Sequence, residues 1–192
     1  MGSLLPGNRL ELLLRMIEIE YKLRPVRIMI IRDEKPLTVD GQHIELQKGI
    51  EIEVPYWLAQ TLISEGIADM VESPISIEDI ARVHFSALSA RTPAELEPLP
   101  QNFYQNAKEF IKSLEDRIRR ELNPILLEEK QKALQYLMEI IDKRLLVILQ
   151  SLRSPTTMAE LSSKLAPEES ALLDFLYKTI DLWKRSLLPP QH

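Results

Sequence analysis

The sequence predicts an α+β protein in which a small N-terminal β-rich domain, residues 1–74, is followed by an all-α helical-bundle domain, residues 75–192. Short β-branched runs separated by turns that contain glycine or proline fill most of the first domain, which is typical of short strands. Beyond residue 76, apolar residues recur every three or four positions over long stretches, which is typical of amphipathic helices. With 192 residues, 45% of them apolar, the chain is long enough to bury a substantial core.

The first domain begins with a predicted helix over residues 8–23. Asn8 and Glu11 resemble a capping box at its start, and Pro25 ends it, because the residue before a proline avoids the α region. The β-branched run at residues 26–31 then predicts a buried strand.

A hairpin follows, in which residues 37–39 pair with residues 43–46. Asp40-Gly41 stands between the two runs and supplies the positive φ that a tight turn needs. A last short strand is predicted at residues 67–71, just before Ser73-Pro74 closes the domain.

A strand-to-helix corner lies inside the first domain. Residues 50–54 alternate between apolar and charged, which predicts a half-buried strand, and a helix then runs from the corner to Gly66. We expect the two aromatic residues of the corner to lie in the core and to fix how the helix sits on the sheet. The corner consists of Val54, Pro55, Tyr56, Trp57 and Leu58.

Five helices are predicted in the second domain. In order, the elements are a helix capped by Ser76 and Asp79, a proline-rich loop at residues 92–100, long helices at 102–123 and 124–152, and two helices that begin at Thr157 and Pro167. Asn102, with Gln105 three residues on, is expected to start the second helix. The apolar positions of the long helices form a stripe wider than a surface helix needs, which indicates packing on more than one side. An internal four-helix core would also explain this surplus, but association with another subunit is the favoured interpretation.

The chain offers few residues for catalysis or metal binding. It has no cysteine, and its histidines are His43, His84 and His192, none with a second ligand at metal-binding spacing. The five glycines form no phosphate-binding loop. We therefore expect no catalytic residue, no cofactor and no metal site, and we interpret His84 as an ordinary helix residue.

Charge and hydropathy restrict the class of partner. The net charge of −5 argues against a dedicated nucleic-acid binder. Arg117, Arg119 and Arg120 are interspersed with carboxylates, which favours a solvated helix face over a nucleic-acid patch. The apolar run at residues 10–19 contains Arg15 and two glutamates, so we expect neither a signal peptide nor a membrane span, and a cytoplasmic protein.

Two motifs resemble those of the GINS replication complex. Residues 54–59, Val-Pro-Tyr-Trp-Leu-Ala, resemble the VPLWLA corner of its second-subunit type, and residues 99–104, Leu-Pro-Gln-Asn-Phe-Tyr, resemble the MPxPYY entry to the first long helix of that subunit. The predicted order, β domain first and helical domain second, is also similar to that of the second and third eukaryotic subunits.

The resemblance implies a non-enzymatic scaffold that links the MCM replicative helicase with other fork proteins in DNA replication initiation and elongation. In archaea, such a subunit is expected to pair with a second GINS subunit of opposite domain order, with two copies of each in a heterotetramer. The wider assembly includes a RecJ-family nuclease or a relative. The location implied is cytoplasmic and nucleoid-associated, and direct contact with DNA stays open.

Apolar residues on the long helices are the candidates for the subunit interface. They are Phe103, Tyr104, Phe110, Leu114, Leu134 and Ile141. Whether each packs within the chain or against a partner is open at this point.

Two other classes of function stay open. One is a small all-helical enzyme that uses Arg117, Arg120, Lys130 and Glu128 on an anionic substrate. The other is a DNA-binding regulator with a C-terminal helix-turn-helix after Ser154, although that segment lacks a basic recognition helix.

Overall fold

The structure is a computed structural model that describes residues 6–39, 41–71 and 75–189. In this part the chain forms seven α-helices and five β-strands, and the strands are confined to the N-terminal half. The protein is therefore α+β, with its β elements ahead of its long helices. It divides into two compact units: Glu18–Pro74, the β unit, and Met1–Ile17 with Ile75–His192, the helical unit.

The division differs from the predicted domains at the N-terminus. One boundary falls between Pro74 and Ile75, and a second falls after Ile17, inside the first helix, α1 (Pro6–Leu23). The N-terminal half of α1 belongs with the helical unit, because Leu10 and Leu13 line a cavity of about 200 Å³ together with residues of the last helix.

Besides the end of α1, the β unit contains a three-stranded sheet, a separate hairpin and one complete helix. Its elements are β1 (Pro25–Ile30), β2 (Glu34–Val39), β3 (Gln42–Leu46), β4 (Glu51–Pro55), α2 (Tyr56–Ser64) and β5 (Ala68–Met70). In the sheet, β1 lies between β4 and β5 and is antiparallel to both, while β2 and β3 form the hairpin. Gly41 has a φ of +79° at the hairpin turn, a conformation that side chains rarely adopt. The other predicted turn residue, Asp40, and Ser73-Pro74 lie outside the described residues.

The core of the β unit lies between its sheet and α2. Ile28, Ile30 and Val54 are buried on one face of the sheet, as the period of two along β1 and β4 requires. Leu58 and Leu62 of α2 belong to the same cluster. The strand-to-helix corner thus brings α2 directly onto the sheet.

The helical unit continues with five helices after α1. They are α3 (Ile77–Ser89), α4 (Phe103–Arg120), α5 (Pro124–Ser151), α6 (Pro155–Ser162) and α7 (Pro167–Leu187). The predicted capping box at α3 is present: the Ser76 hydroxyl accepts from the Asp79 amide at 3.2 Å, and the Asp79 carboxylate accepts from the Ser76 amide at 3.0 Å.

Three helix starts differ from prediction. Helix α1 begins at Pro6, so Asn8 lies inside the helix and not at its N-cap, because proline suits a first helical position. Asn102 has a φ of +56°, in the left-handed region, and its side chain does not cap α4. A short polar side chain tolerates this region better than most residues do, so Asn102 serves the turn rather than the cap. The helix expected from Thr157 begins earlier, at Pro155, because proline suits a first helical position.

Helix α5 is the centre of the helical unit, since it contacts α3, α4, α6 and α7. It takes part in two buried clusters. With α3 and α4 it forms a cluster that includes Ile80, Phe103, Ala107, Ala133 and Ile140. With α6, α7 and the proline-rich loop it forms a second cluster that includes Leu96, Val147, Ile148, Leu161 and Leu173.

Candidate functional site

Four of the six predicted interface residues are buried or partly buried inside the helical unit. Phe103 and Leu114 are fully buried, with 1% and 0% of their surface exposed. Tyr104 and Phe110 are partly buried and pack against the cluster that contains Phe103. These four residues of α4 therefore contribute to the packing of the chain itself.

The other two belong to an exposed apolar row on α5, which we call the α5 seam and which consists of Leu127, Leu134, Met138, Ile141 and Leu145. Spacings of seven, four, three and four residues place these side chains on one side of the helix, in the pattern of a coiled-coil seam. The first four are 47%, 38%, 63% and 43% exposed, and Leu145 is partly buried. The seam is about 27 Å long at 1.5 Å per residue.

A second, buried row lies on another side of α5. It includes Leu126, Ala133, Ile140 and Val147, each seven residues from the next. At 100° per residue, the buried row and the α5 seam are separated by about 110°. Helix α5 is therefore apolar on two sides, and the fold of this chain covers only one of them.

Helix α4 lies beside α5 and carries a row of three exposed cations, Lys108, Lys112 and Arg119, which we call the basic row. Their spacing of four and seven residues keeps them within about 40° of one another on the helix surface. The Lys130 Nζ lies 2.7 Å from the Glu115 Oε1 and marks the outer rim of the α4–α5 contact. Around α4, the basic row lies next to Glu115 on the side away from the buried face. Around α5, the α5 seam lies next to Lys130, also on the side away from the buried face.

The corner residues are mostly structural, with one difference from prediction. Val54, Tyr56 and Leu58 are buried and Pro55 is partly buried. The expected burial of Trp57 is not found, since 39% of its surface is exposed. Adjacent positions on a helix point about 100° apart, so Tyr56 and Trp57 do not face the core together.

A buried ion pair in the helical unit has no counterpart in the sequence predictions. Arg144 on α5 and Glu169 on α7 are 2% and 5% exposed, and the Arg144 Nε and Nη2 atoms donate to the Glu169 carboxylate at 2.5 and 2.8 Å. The Arg144 guanidinium also donates to the carbonyl oxygens of Glu97 and Lys164 at 2.9 and 3.0 Å. Every nitrogen of the guanidinium thus has an acceptor, and the pair joins α5, α7 and the loops before α4 and α7.

Tyr104 completes this network. Its hydroxyl donates to the Glu169 Oε1 at 2.6 Å. Burial and the neighbouring Glu169 carboxylate raise the pKa of Tyr104 well above its ordinary value, so the phenol keeps its proton and remains a donor. One sequence signal could have indicated the buried ion pair. Arg144 is a charged residue between Ile140 and Val147, on an otherwise apolar row of α5.

His84 lies in a second polar contact, between α3 and α5. Its Nε2 is 2.5 Å from the Glu139 Oε2, and its ring stacks on Tyr136 with 4.5 Å between ring centroids. Hydrogen bonds from Gln135 and His84 lower the pKa of Glu139. The contact therefore joins α3 to α5.

Two of the four residues of the alternative enzyme site are held in ion pairs. Lys130 pairs with Glu115, and Glu128 pairs with Lys132 at 2.7 Å. No group of three or more histidine, cysteine, aspartate or glutamate side chains among the described residues is placed to hold a metal ion. No described helix is both long enough and apolar enough to cross a membrane.

The α5 seam and the basic row are the surface features that the fold leaves exposed side by side, and they form the candidate functional site. Both belong to the helical unit, and a helical partner is the kind of ligand that such a seam accepts. No protein-family model and no curated protein matches the sequence.

Proposed function

We propose that this chain is a scaffold subunit of a GINS-type complex, which links the MCM replicative helicase with other fork proteins and has no enzymatic activity of its own. The motifs at residues 54–59 and 99–104 support the proposal, as does the order of β elements before long helices. The observation that carries it is the α5 seam, because a long exposed apolar row on a single chain is typical of a protein interface.

The partner proposed for the seam is a second GINS subunit of opposite domain order, with two copies of each subunit in the complex. The end of α7 supports an obligate assembly as well. Its apolar row is covered at Leu173 but continues into solvent at Trp183 and Leu187, which are 60% and 65% exposed. Tryptophan in particular is enriched among the residues that dominate binding energy at interfaces.

The other partners in this proposal are the MCM helicase and a RecJ-family nuclease or relative, in the cytoplasm near the nucleoid. The acidic β unit is the surface that we assign to such partners. Residues 18–74 hold six basic and eleven acidic side chains, a net of −5, which equals the net charge of the whole chain. A surface of one sign steers oppositely charged proteins toward it.

Co-expression with a candidate subunit of opposite domain order tests the proposal. Leu127→Glu places a charge in the α5 seam, and we expect it to abolish co-purification of the partner, because burying an unpaired carboxylate at an interface is costly. Leu146→Glu is the matched control, since Leu146 lies on the same helix, outside the seam, and is 51% exposed against 47% for Leu127.

Circular dichroism of both variants checks that each remains folded. Co-purification of the partner with wild type and with Leu146→Glu, but not with Leu127→Glu, would support the proposal. A partner that binds all three chains equally, or none of them, would contradict it.

A further inference from the structure

We propose that the α5 seam and the basic row of α4 together form a groove for an amphipathic helix whose flank facing α4 is acidic. The identity of the partner rests on the proposed function, whereas the chemistry of its helix follows from the groove itself. The α5 seam supplies the apolar floor of the groove, and the basic row supplies one wall.

The repeat of the α5 seam selects a helix over an extended segment. From Leu134 to Leu145 the spacings alternate between four and three residues, which matches the knobs of a second helix, whereas an extended segment presents side chains with a period of two. A seam of about 27 Å corresponds to about five helical turns.

The cations of the basic row are available to a ligand. Among the salt bridges of the described residues, none involves Lys108 or Lys112, and Arg119 approaches Asp116 only to 3.9 Å. The nearest carboxylate toward α5, Glu115, is held by Lys130, whose hydrogen bond and charge lower the pKa of Glu115. Counting Lys130, four cations thus stand against three carboxylates, Glu109, Glu115 and Asp116, along this wall.

The opposite wall of the groove has a different chemistry. Gln131, Gln135 and Asp142 lie on the other flank of the α5 seam and are exposed. The cation farther along this flank, Lys132, is paired with Glu128, so the flank is neutral to acidic overall. The two walls therefore require a helix that is acidic on one flank only, which fixes how the helix is rotated in the groove.

A second, antiparallel copy of this chain suits the groove poorly. In an antiparallel pair of helices related by a twofold axis, each flank faces the same flank of its partner. The basic row of one copy would then face the basic row of the other, and like charges in contact oppose association.

Two synthetic helical peptides test the groove without any replication protein. Both are about three heptads long and share leucine at the seam positions, and they differ only in carrying glutamate or lysine along one flank. Fluorescence anisotropy with the full chain at low salt should show the acidic peptide binding about tenfold more tightly than the basic one. The difference should shrink as salt screens the wall.

Variants assign the effect to the two parts of the groove. Met138→Glu should weaken both peptides more than about tenfold, since Met138 is 63% exposed and lies in the middle of the α5 seam. The double change Lys112→Glu with Arg119→Glu should reverse the preference between the peptides. Arg120→Glu is the matched control, because Arg120 is exposed on a different side of α4, and it should leave the preference unchanged.

Equal binding of the two peptides, or binding of neither, would overturn the proposal. So would light scattering that finds a dimer of this chain dispersed by Met138→Glu, because a second copy would then occupy the groove. The peptides contain no GINS sequence, so their preference stands even if co-purification of the GINS subunit fails. If the GINS subunit co-purifies but the two peptides bind equally, the charged wall is refuted and the proposed function is not.

Discussion

Arg144 and Glu169 form the one fully buried ion pair among the salt bridges of the described residues. Taking two charges out of water is costly, and the cost is offset only when both are fully hydrogen-bonded. Here the guanidinium has its acceptors, and the carboxylate also accepts from the Ala166 amide and the Tyr104 hydroxyl. The pair therefore specifies how α5 and α7 meet more than it adds to stability.

Glu169→Ala should lower the free energy of unfolding by about 3–5 kcal/mol, because it leaves the Arg144 charge buried without its partner. Urea denaturation of the purified chain measures this. Lys178→Ala is the control, since the Lys178–Asp174 pair is exposed and should contribute at most about 1 kcal/mol. Equal losses in the two variants would contradict the assigned role of the buried pair.

At the corner, residue type alone does not decide which aromatic side chain is buried. Tyr56 is 6% exposed, its ring centroid lies 5.0 Å from that of Tyr21, and the Arg24 guanidinium lies 5.0 Å from the Tyr56 ring centroid. Trp57 is the larger side chain, but 39% of its surface is exposed. The alternation up to Val54 and the proline after it predicted the corner. Which of the two rings is buried depends on the rotation of α2 on the sheet, which distant contacts decide.

At the scale of single elements, local chemistry predicted the helix and strand positions well. The capping box at Ser76, the proline at the start of α5 and the positive φ of Gly41 are all short-range effects, so a few residues suffice to predict them. The wide apolar stripe of the long helices likewise indicated packing on more than one side. Which row would remain exposed depends on the placement of α3, α4 and α7, and no spacing within α5 contains that information.

Ser76→Ala should cost about 1 kcal/mol of stability at neutral pH, because it removes the cap of α3. Hydrogen bonds from the Ser76 hydroxyl and amide lower the pKa of Asp79, so the folded state favours the charged carboxylate. This contribution is present above the ordinary aspartate pKa of about 3.9 and is lost as the pH falls through the lowered value. The cost of Ser76→Ala should therefore shrink in acid.

Thermal denaturation of wild type and Ser76→Ala at neutral and acidic pH checks this expectation. Ser113→Ala serves as the control, because the Ser113 hydroxyl is exposed in the middle of α4 and should change stability by less than about 0.5 kcal/mol. A cost of Ser76→Ala that stays constant or grows on acidification would contradict the role of Asp79 in the cap.

At the scale of the whole molecule, the change from a period of two to a period of 3.6 predicted the α+β class and the order of its elements. The same pattern does not reveal the boundary inside α1, because the helical periodicity runs unbroken through Ile17 and Glu18. The net charge is divided unevenly between the two units, because residues 18–74 carry the entire net negative charge of the chain. The proposed scaffold function rests on these two features, the acidic β unit and the uncovered apolar seam of the helical unit.

Light scattering on the co-expressed and co-purified sample tests the central claim, that this chain works as one subunit of a hetero-oligomer, most directly. The chain has a mass of 22.2 kDa. With a GINS subunit of opposite domain order, we predict a single species whose mass equals two copies of each chain. A stable species of 22.2 kDa that persists in the presence of that subunit would contradict the account.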